Sequence, residues 1–196
     1  MRVAVLVSGT GSNLQSLINH SFLDNCPYTI DIVIADSYDK ASKGLSRAIS
    51  AKIPVYVAEY VAYKDYSAKE NAELQISEIL KSRGIDLIVL AGYMRILSPE
   101  FVKQWEGKII NLHPSLLPAF PGLHAIEQAY NYGVKVVGVT VHYVDEGMDT
   151  GKIIAQQSCL LKESWSLDDL ETAIHSIEHR LLPEVVRKLA VASKNI

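Results

Sequence analysis

Residues 3–7 form an apolar, largely β-branched run that ends in Ser8-Gly9-Thr10-Gly11-Ser12-Asn13. Leu14, Leu17 and Ile18 then recur at helical spacing. A strand with no polar alternation must be buried on both faces, the position of a central strand in a helix-covered parallel sheet. The same order repeats down the chain. Residues 30–35 read as a strand, 43–51 as a helix and 54–57 as a short strand. Residues 67–83 read as a longer helix with Leu74, Ile76, Ile79 and Leu80 on its apolar side and Gly84 as its stop. Residues 87–91 are again strand-like. Ser98-Pro99 then opens a helix to about residue 105, with Ser as cap and Pro in the first turn.

The second half begins with a strand from residue 108, continues through a helix over about 125–131 closed by Gly133, and reaches a long strand-like run over 134–144. In that run Val137, Val139, Val141 and Tyr143 face one way, and Val136, Gly138, Thr140 and His142 the other. A loop over 145–151 leads to a last strand over 153–161. These two strands follow each other without a helix, which predicts an antiparallel extension. Ser166, helped by Asp169, caps a long helix that Pro183 is expected to bend or interrupt. The expectation is an α/β fold: a Rossmann-like, mostly parallel sheet with helices on both faces, and residues 1–196 as one domain.

Charge narrows the partners. The chain carries 19 Lys and Arg against 22 Asp and Glu, a formal net charge of −3, with no basic run. This argues against non-specific nucleic-acid binding. Cys26 and Cys159, the two cysteines, match no metal spacing and read as free thiols. The N-terminus runs straight into a strand pattern, and no apolar stretch approaches membrane-spanning length. A cytoplasmic protein with no membrane partner is the simplest expectation.

The stretch Lys108-Ile109-Ile110-Asn111-Leu112-His113-Pro114-Ser115-Leu116-Leu117-Pro118 is the centre of the chemistry. In an extended segment Asn111 and His113 point to the same side, at the strand end where open α/β sheets bind ligands. Either residue alone reads as a satisfied core group. His142 and Asp149 alter that balance, since two strand ends delivering Asn, His, His and Asp can converge on one cleft. A carboxylate beside an imidazole favours its protonated form, and an amide N–H beside it can stabilise an oxyanion. That set suits acyl transfer to an external amine without a protein nucleophile. A Ser-His-Asp hydrolase using Ser115 lacks the Gly-x-Ser-x-Gly elbow.

The turn at Gly9 to Asn13 offers free N–H groups and a helix dipole to an anion. It is neither a full dinucleotide fingerprint, since Leu14 holds the third glycine position, nor a P-loop. The plain alternative is a tight turn capped by Ser12 or Asn13. His175-Ser176-Ile177-Glu178-His179 matches the H-x-x-E-H zinc pattern, with His175 and His179 on one helix face. A solvated face with Glu178 and Arg180 is the alternative, and no metal is expected. Met94, Ile96 and Leu97 follow a strand end and read as core packing or as the wall of a pocket for a flat ring.

Four motifs occur in the order and spacing of one family: Ser8-Gly9-Thr10-Gly11-Ser12-Asn13-Leu14, Ala91-Gly92-Tyr93-Met94-Arg95-Ile96-Leu97, Asn111-Leu112-His113-Pro114-Ser115-Leu116-Leu117-Pro118, and Val141-His142 through Asp149-Thr150-Gly151. Over nearly its full length the chain resembles the glycinamide ribonucleotide transformylases, folate-dependent formyltransferases of purine synthesis. The resemblance implies a formyltransferase N-terminal-type fold and formyl transfer from the co-substrate 10-formyltetrahydrofolate to glycinamide ribonucleotide. It implies that Asn111 and His113 polarise the formyl oxygen and shuttle the proton, with Asp149 and His142 supporting them. Gly11, Ser12 and Asn13 would hold the substrate phosphate, and His175 and Glu178 the glycinamide part. Met94, Arg95, Ile96, Leu97, Asp145, Glu146, Gly147 and Met148 would receive the folate. Lys69 stands where the family has an arginine in its folate contacts, keeping the charge without the planar fork. Lys152 replaces a common proline, and Asp36 a frequent Asn, with no role assigned.

Three rivals remain. A formyltetrahydrofolate hydrolase and the catalytic part of methionyl-tRNA formyltransferase share the core, but normally carry an extra domain for which this chain has no room. A non-catalytic nucleotide-binding module would have no use for Asn111, His113 and Asp149 together. A monomer or weak homodimer is expected, and the loop over 145–149 is expected to move.

Overall fold

The computed structural model describes residues 1–58, 60 and 66–195. Its seven strands are β1 (Arg2–Val7), β2 (Thr29–Ala35), β3 (Val55–Val57), β4 (Leu87–Leu90), β5 (Ile109–His113), β6 (Val136–Tyr143) and β7 (Ile153–Leu160). Its helices are α1 (Ser12–Ser21), α2 (Tyr38–Ser50), α3 (Tyr66–Ser82), α4 (Pro99–Gln104), α5 (Ala125–Tyr132) and α6 (Leu167–Ala192). One sheet runs in the order β3-β2-β1-β4-β5-β6-β7. The first five of these strands pair in parallel, and β6 and β7 are antiparallel additions. The mostly parallel α/β sheet and the antiparallel extension read from the sequence are both present.

Burial follows the two faces. Val3, Val5 and Val7 point into one core with α1, α2, α5 and α6, while Ala4 and Leu6 point into the other with α3 and α4. From Val3 to Val7, β1 is apolar because neither of its faces meets water there. Chain order reverses between β1 and β4. The turns leaving these two strands therefore share an edge of the sheet, the switch point where such folds bind ligands.

Three local expectations need correction. α2 begins at Tyr38, five residues before the expected start, because its first turn is exposed apart from Ala41 and carries no apolar period. On α3, Leu74 is 60% exposed, and the inward stripe is Glu73, Ile76, Ser77 and Leu80. Its two polar members dock α4. The Glu73 carboxylate accepts from the Ser98 N–H at 3.1 Å and from the Ser98 hydroxyl. Ser77 donates to Gln104 at 2.8 Å and accepts from the Trp105 indole at 2.9 Å. An apolar-period argument cannot see a polar stripe whose partners lie on another helix. Finally, of the bend or interruption expected at Pro183, the interruption does not occur: α6 is one helix of 26 residues through it. Leu182, Val185 and Val186 around it are fully buried, and their packing outweighs one lost backbone bond.

Candidate active site

Asn111 and His113 lie on the same side of β5, as their spacing predicts. Antiparallel pairing sets Asn111 opposite His142 on β6. β6 runs against β5, so its carboxyl end lies at the other edge of the sheet. His142 therefore reaches the cluster through strand register rather than by a meeting of two strand ends. These side chains share the face of Ile109, which packs in the core under α3 and α4.

The β6–β7 hairpin then folds Asp149 back onto this face. Asp149 has φ +56°, a left-handed conformation that Asp tolerates better than most residues. Gly151 behind it is obligatory, since a Cβ there would stand 1.7 Å from the Tyr143 carbonyl oxygen. Asp149 Oδ2 accepts from the Gly122 N–H at 2.8 Å and lies 3.4 Å from His113 Nδ1. Asp149 Oδ1 lies 3.6 Å from His142 Nε2 and 3.5 Å from Asn111 Nδ2. Hydrogen bonding from His142, the Gly122 N–H and the neighbouring imidazoles hold the Asp149 carboxyl below its ordinary range, against the opposing effect of burial.

Both histidines are buried with both ring nitrogens engaged. His113 Nε2 is 2.8 Å from the Phe120 carbonyl oxygen, leaving Nδ1 to face Asp149. A carbonyl can only accept, so Nε2 carries a proton, and an imidazolium would satisfy both acceptors. His142 Nδ1 donates to the Tyr143 carbonyl at 2.9 Å, and its Nε2 is 3.3 Å from Asn111 Nδ2. A neutral His142 accepts from the Asn111 amide there, and a charged one donates to Asp149.

The loop after His113 is held from β6 and β7. Buried Thr140 donates to the Ser115 carbonyl at 2.7 Å and accepts from the Leu117 N–H at 3.1 Å. Gln156 reaches the Leu117 carbonyl at 2.9 Å. Ser115 donates to the Ala119 carbonyl, a structural bond and not that of a nucleophile. Phe120 has φ +53°, rare for a bulky residue, and its carbonyl meets the histidine. Sequence reasoning missed Phe120, Gly122, Thr140 and Gln156. Pro114 and Pro118 mark a fixed loop after His113 but give it no partners.

A second cluster surrounds the glycine turn. The residue capping α1 is Gly11, at φ +71° and with no side-chain cap, so Ser12 and Asn13 are not the caps. Their side chains leave the first helical N–H groups open, as an anion site requires. Gly11 packs on α2, where an added Cβ would stand 2.8 Å from the Gly44 Cα. Arg47, three residues along α2, donates to the Thr10 carbonyl at 2.9 Å. Asn13 donates instead to Glu178 Oε2 at 2.9 Å, which also meets His175 Nδ1 at 2.9 Å. Glu178 is buried, so the solvated-face reading of this segment fails. Its carboxylate holds the His175 pKa above the ordinary histidine value. His175 and His179 stack at 6.4 Å, and among the described residues no three potential ligands are grouped for a metal.

Residues 92–97 follow β4 at the same edge. Ser8 joins this loop to the glycine turn: its N–H donates to the Gly92 carbonyl at 3.2 Å and its hydroxyl accepts from the Met94 N–H at 2.8 Å. Met94 is 64% and Ile96 72% exposed, while Leu97 is buried, so core packing explains only Leu97. Arg95 points inward to Asp36. Asp145, Glu146, Gly147 and Met148 are exposed on the β6–β7 hairpin, and Asp145 accepts from Thr150 at 2.7 Å. Lys69 lies on α3 one turn from Glu73, whose carboxyl burial pushes above its ordinary range against the opposing Ser98 hydrogen bonds and Lys69 charge.

The formyl transferase family profile matches residues 1–186. The phosphoribosylglycinamide formyltransferase of Bacillus subtilis is 42% identical over 96% of this chain and 94% of its own. The Drosophila melanogaster trifunctional purine biosynthetic protein adenosine-3 is 44% identical over 96% of this chain, which spans 14% of that protein. The crystal structure of the Bacillus halodurans phosphoribosylglycinamide formyltransferase superposes with a TM-score of 0.91 at 44% identity, covering 100% and 98% of the two chains.

Proposed function

This chain belongs to the formyl transferase family, and on that premise we propose that it is a phosphoribosylglycinamide formyltransferase. It moves a formyl group from 10-formyltetrahydrofolate to the amine of glycinamide ribonucleotide, as a single unit, with no metal. The observation that carries this reading is the Asp149 carboxylate, ion-paired in range of His113 and His142 and hydrogen-bonded by Asn111 and Gly122.

The substrate amine attacks the formyl carbon, forming a C–N bond and an oxyanion. The Asn111 amide N–H and the His113 imidazole N–H are the donors available to that oxygen. The bond from carbon to N10 then breaks, N10 takes a proton, and the new amide nitrogen loses one. His113 delivers the first proton, and Asp149, through His113 and His142, balances the charge. His113 Nε2 is spent on the Phe120 carbonyl in this state, so substrate must take over that hydrogen bond. Gly11, Ser12 and Asn13 offer the phosphate open N–H groups, and His175 and Glu178 flank the glycinamide part. Exposed Met94 and Ile96 with Met148, and residues 92–97 and 145–148, form the walls proposed for the folate. No helix among the described residues is long and apolar enough to cross a membrane, in keeping with small-molecule partners.

The test is formyl transfer by metal-free protein with both substrates. Tetrahydrofolate formed only when the ribonucleotide is present supports the reading. Tetrahydrofolate formed without it points to a hydrolase, and no turnover by folded protein rejects both.

A further inference from the structure

Asp36 directly follows β2, beside the switch point, and it is a buried carboxylate that the chemistry above does not use. Arg95 Nε donates to its Oδ2 at 2.8 Å, with side-chain exposures of 13% for Arg95 and 4% for Asp36. The guanidinium also lies over the Tyr60 ring, 4.5 Å from its centroid. The Tyr60 and Tyr93 hydroxyls are 2.9 Å apart. Asp36 Oδ1 is buried with no hydrogen-bond partner. A half-satisfied buried carboxylate depends on its cation, and the cation is fixed in return.

The loop that carries Arg95 is held at each side. Met94 N–H is bound by Ser8, Tyr93 by Tyr60, and Ser98, just beyond it, by Glu73. Met94 and Ile96 project outward while Arg95 between them projects inward. An anchor of this kind sets the path of the backbone whose N–H and C=O groups a flat heterocycle would meet.

We infer that Asp36 and Arg95 are a buried positioning pair for the folate ring, acting through the backbone of residues 92–97, and that the Arg95 guanidinium does not grip the folate's glutamate carboxylates. The inference rests on the folate reading of this loop. It corrects the simplest view of Arg95 as a direct ligand, because its guanidinium is engaged with Asp36 and Tyr60 inside the fold.

The experiment measures Kd for tetrahydrofolate and for tetrahydropteroate, which lacks the glutamate, on wild type, Asp36→Ala, Asp36→Asn and Arg95→Met. Thermal melting checks that each variant folds. Asp36→Ala and Arg95→Met should weaken both ligands by the same factor, about tenfold or more, since a displaced loop misplaces the ring whatever its tail. Asp36→Asn keeps the acceptor for Arg95 Nε and should lose less, which carries the test if the alanine variant does not fold. The Kd for glycinamide ribonucleotide should be unchanged throughout. An Arg95→Met loss confined to tetrahydrofolate would overturn the inference, because it would place the guanidinium on the glutamate. Unchanged Kd in both Asp36 variants would overturn it too. Failure of the wild type to bind either ligand would instead reject the folate reading, and the inference with it.

Discussion

Two clusters in this molecule use the same three chemistries to different ends. Asn111, His113, His142 and Asp149 form one, and Asn13, His175 and Glu178 the other. In the first the histidines are buried, His113 at 5% side-chain exposure, and the carboxylate arrives on a hairpin. In the second the carboxylate is buried in α6 and His175 is 50% exposed. The direction of each pKa shift follows. Asp149 gathers donors and sits low, whereas Glu178 raises the pKa of the solvent-facing His175. Charge is held inside the first cluster and displayed at the rim of the second, and on the proposed reading the first faces the reacting atoms and the second the polar substrate. On that reading, which partner is buried, more than which residues are present, sets the role.

The comparison breaks most sharply at Asp149. Asp149→Asn keeps the shape but removes the charge between two imidazoles, so kcat should fall by about 10² to 10⁴ while ribonucleotide KM changes little. Steady-state kinetics on both substrates checks this. A KM effect without loss of kcat would make Asp149 a binding residue. Next comes Gly151→Ala, whose Cβ would meet the Tyr143 carbonyl oxygen at 1.7 Å. It should destabilise the hairpin by roughly 1–3 kcal/mol, read by denaturant unfolding, and lower kcat by displacing Asp149. Glu178→Gln should show the opposite split from Asp149→Asn, with ribonucleotide KM raised about tenfold, equal to about 1.4 kcal/mol, and kcat nearly kept.

The smallest effects are in pH. The folded pKa of Asp149 lies below its ordinary 3.8, so the stability it contributes is complete above that value and is lost as pH falls through the folded one. Acid unfolding of Asp149→Asn should lack this component. The folded pKa of His175 lies above its ordinary 6.5, so its contribution is complete below 6.5 and is lost as pH rises through the folded value. An NMR titration of His175 should move down in Glu178→Gln, and an unmoved titration would separate the two residues.

Much of this was legible in the chain. Unbroken apolar runs such as residues 3–7 announce burial on both faces, and the glycine turn announces an open helix start. The spacing of Asn111 and His113 gave their common side because strand geometry repeats every two residues. Other features were hidden for physical reasons. Glu73 and Ser77 face inward because α4 supplies their partners. Pro183 sits in an unbroken helix because core packing outweighs local propensity. Phe120 contributes through its carbonyl, which carries no side-chain signature.

By itself the sequence determined what depends on neighbours along the chain: the alternation of strands and helices, the caps at Ser98 and Ser166, and the residues capable of the chemistry. Only the tertiary structure decided which of those residues meet. Asp149 lies 36 residues beyond His113, and its approach depends on an antiparallel register and a hairpin that folds back over the sheet face. Asn13 and Glu178 are 165 residues apart and touch because α1 and α6 pack side by side. Contacts of that kind come from the global packing of apolar faces, which no local pattern encodes.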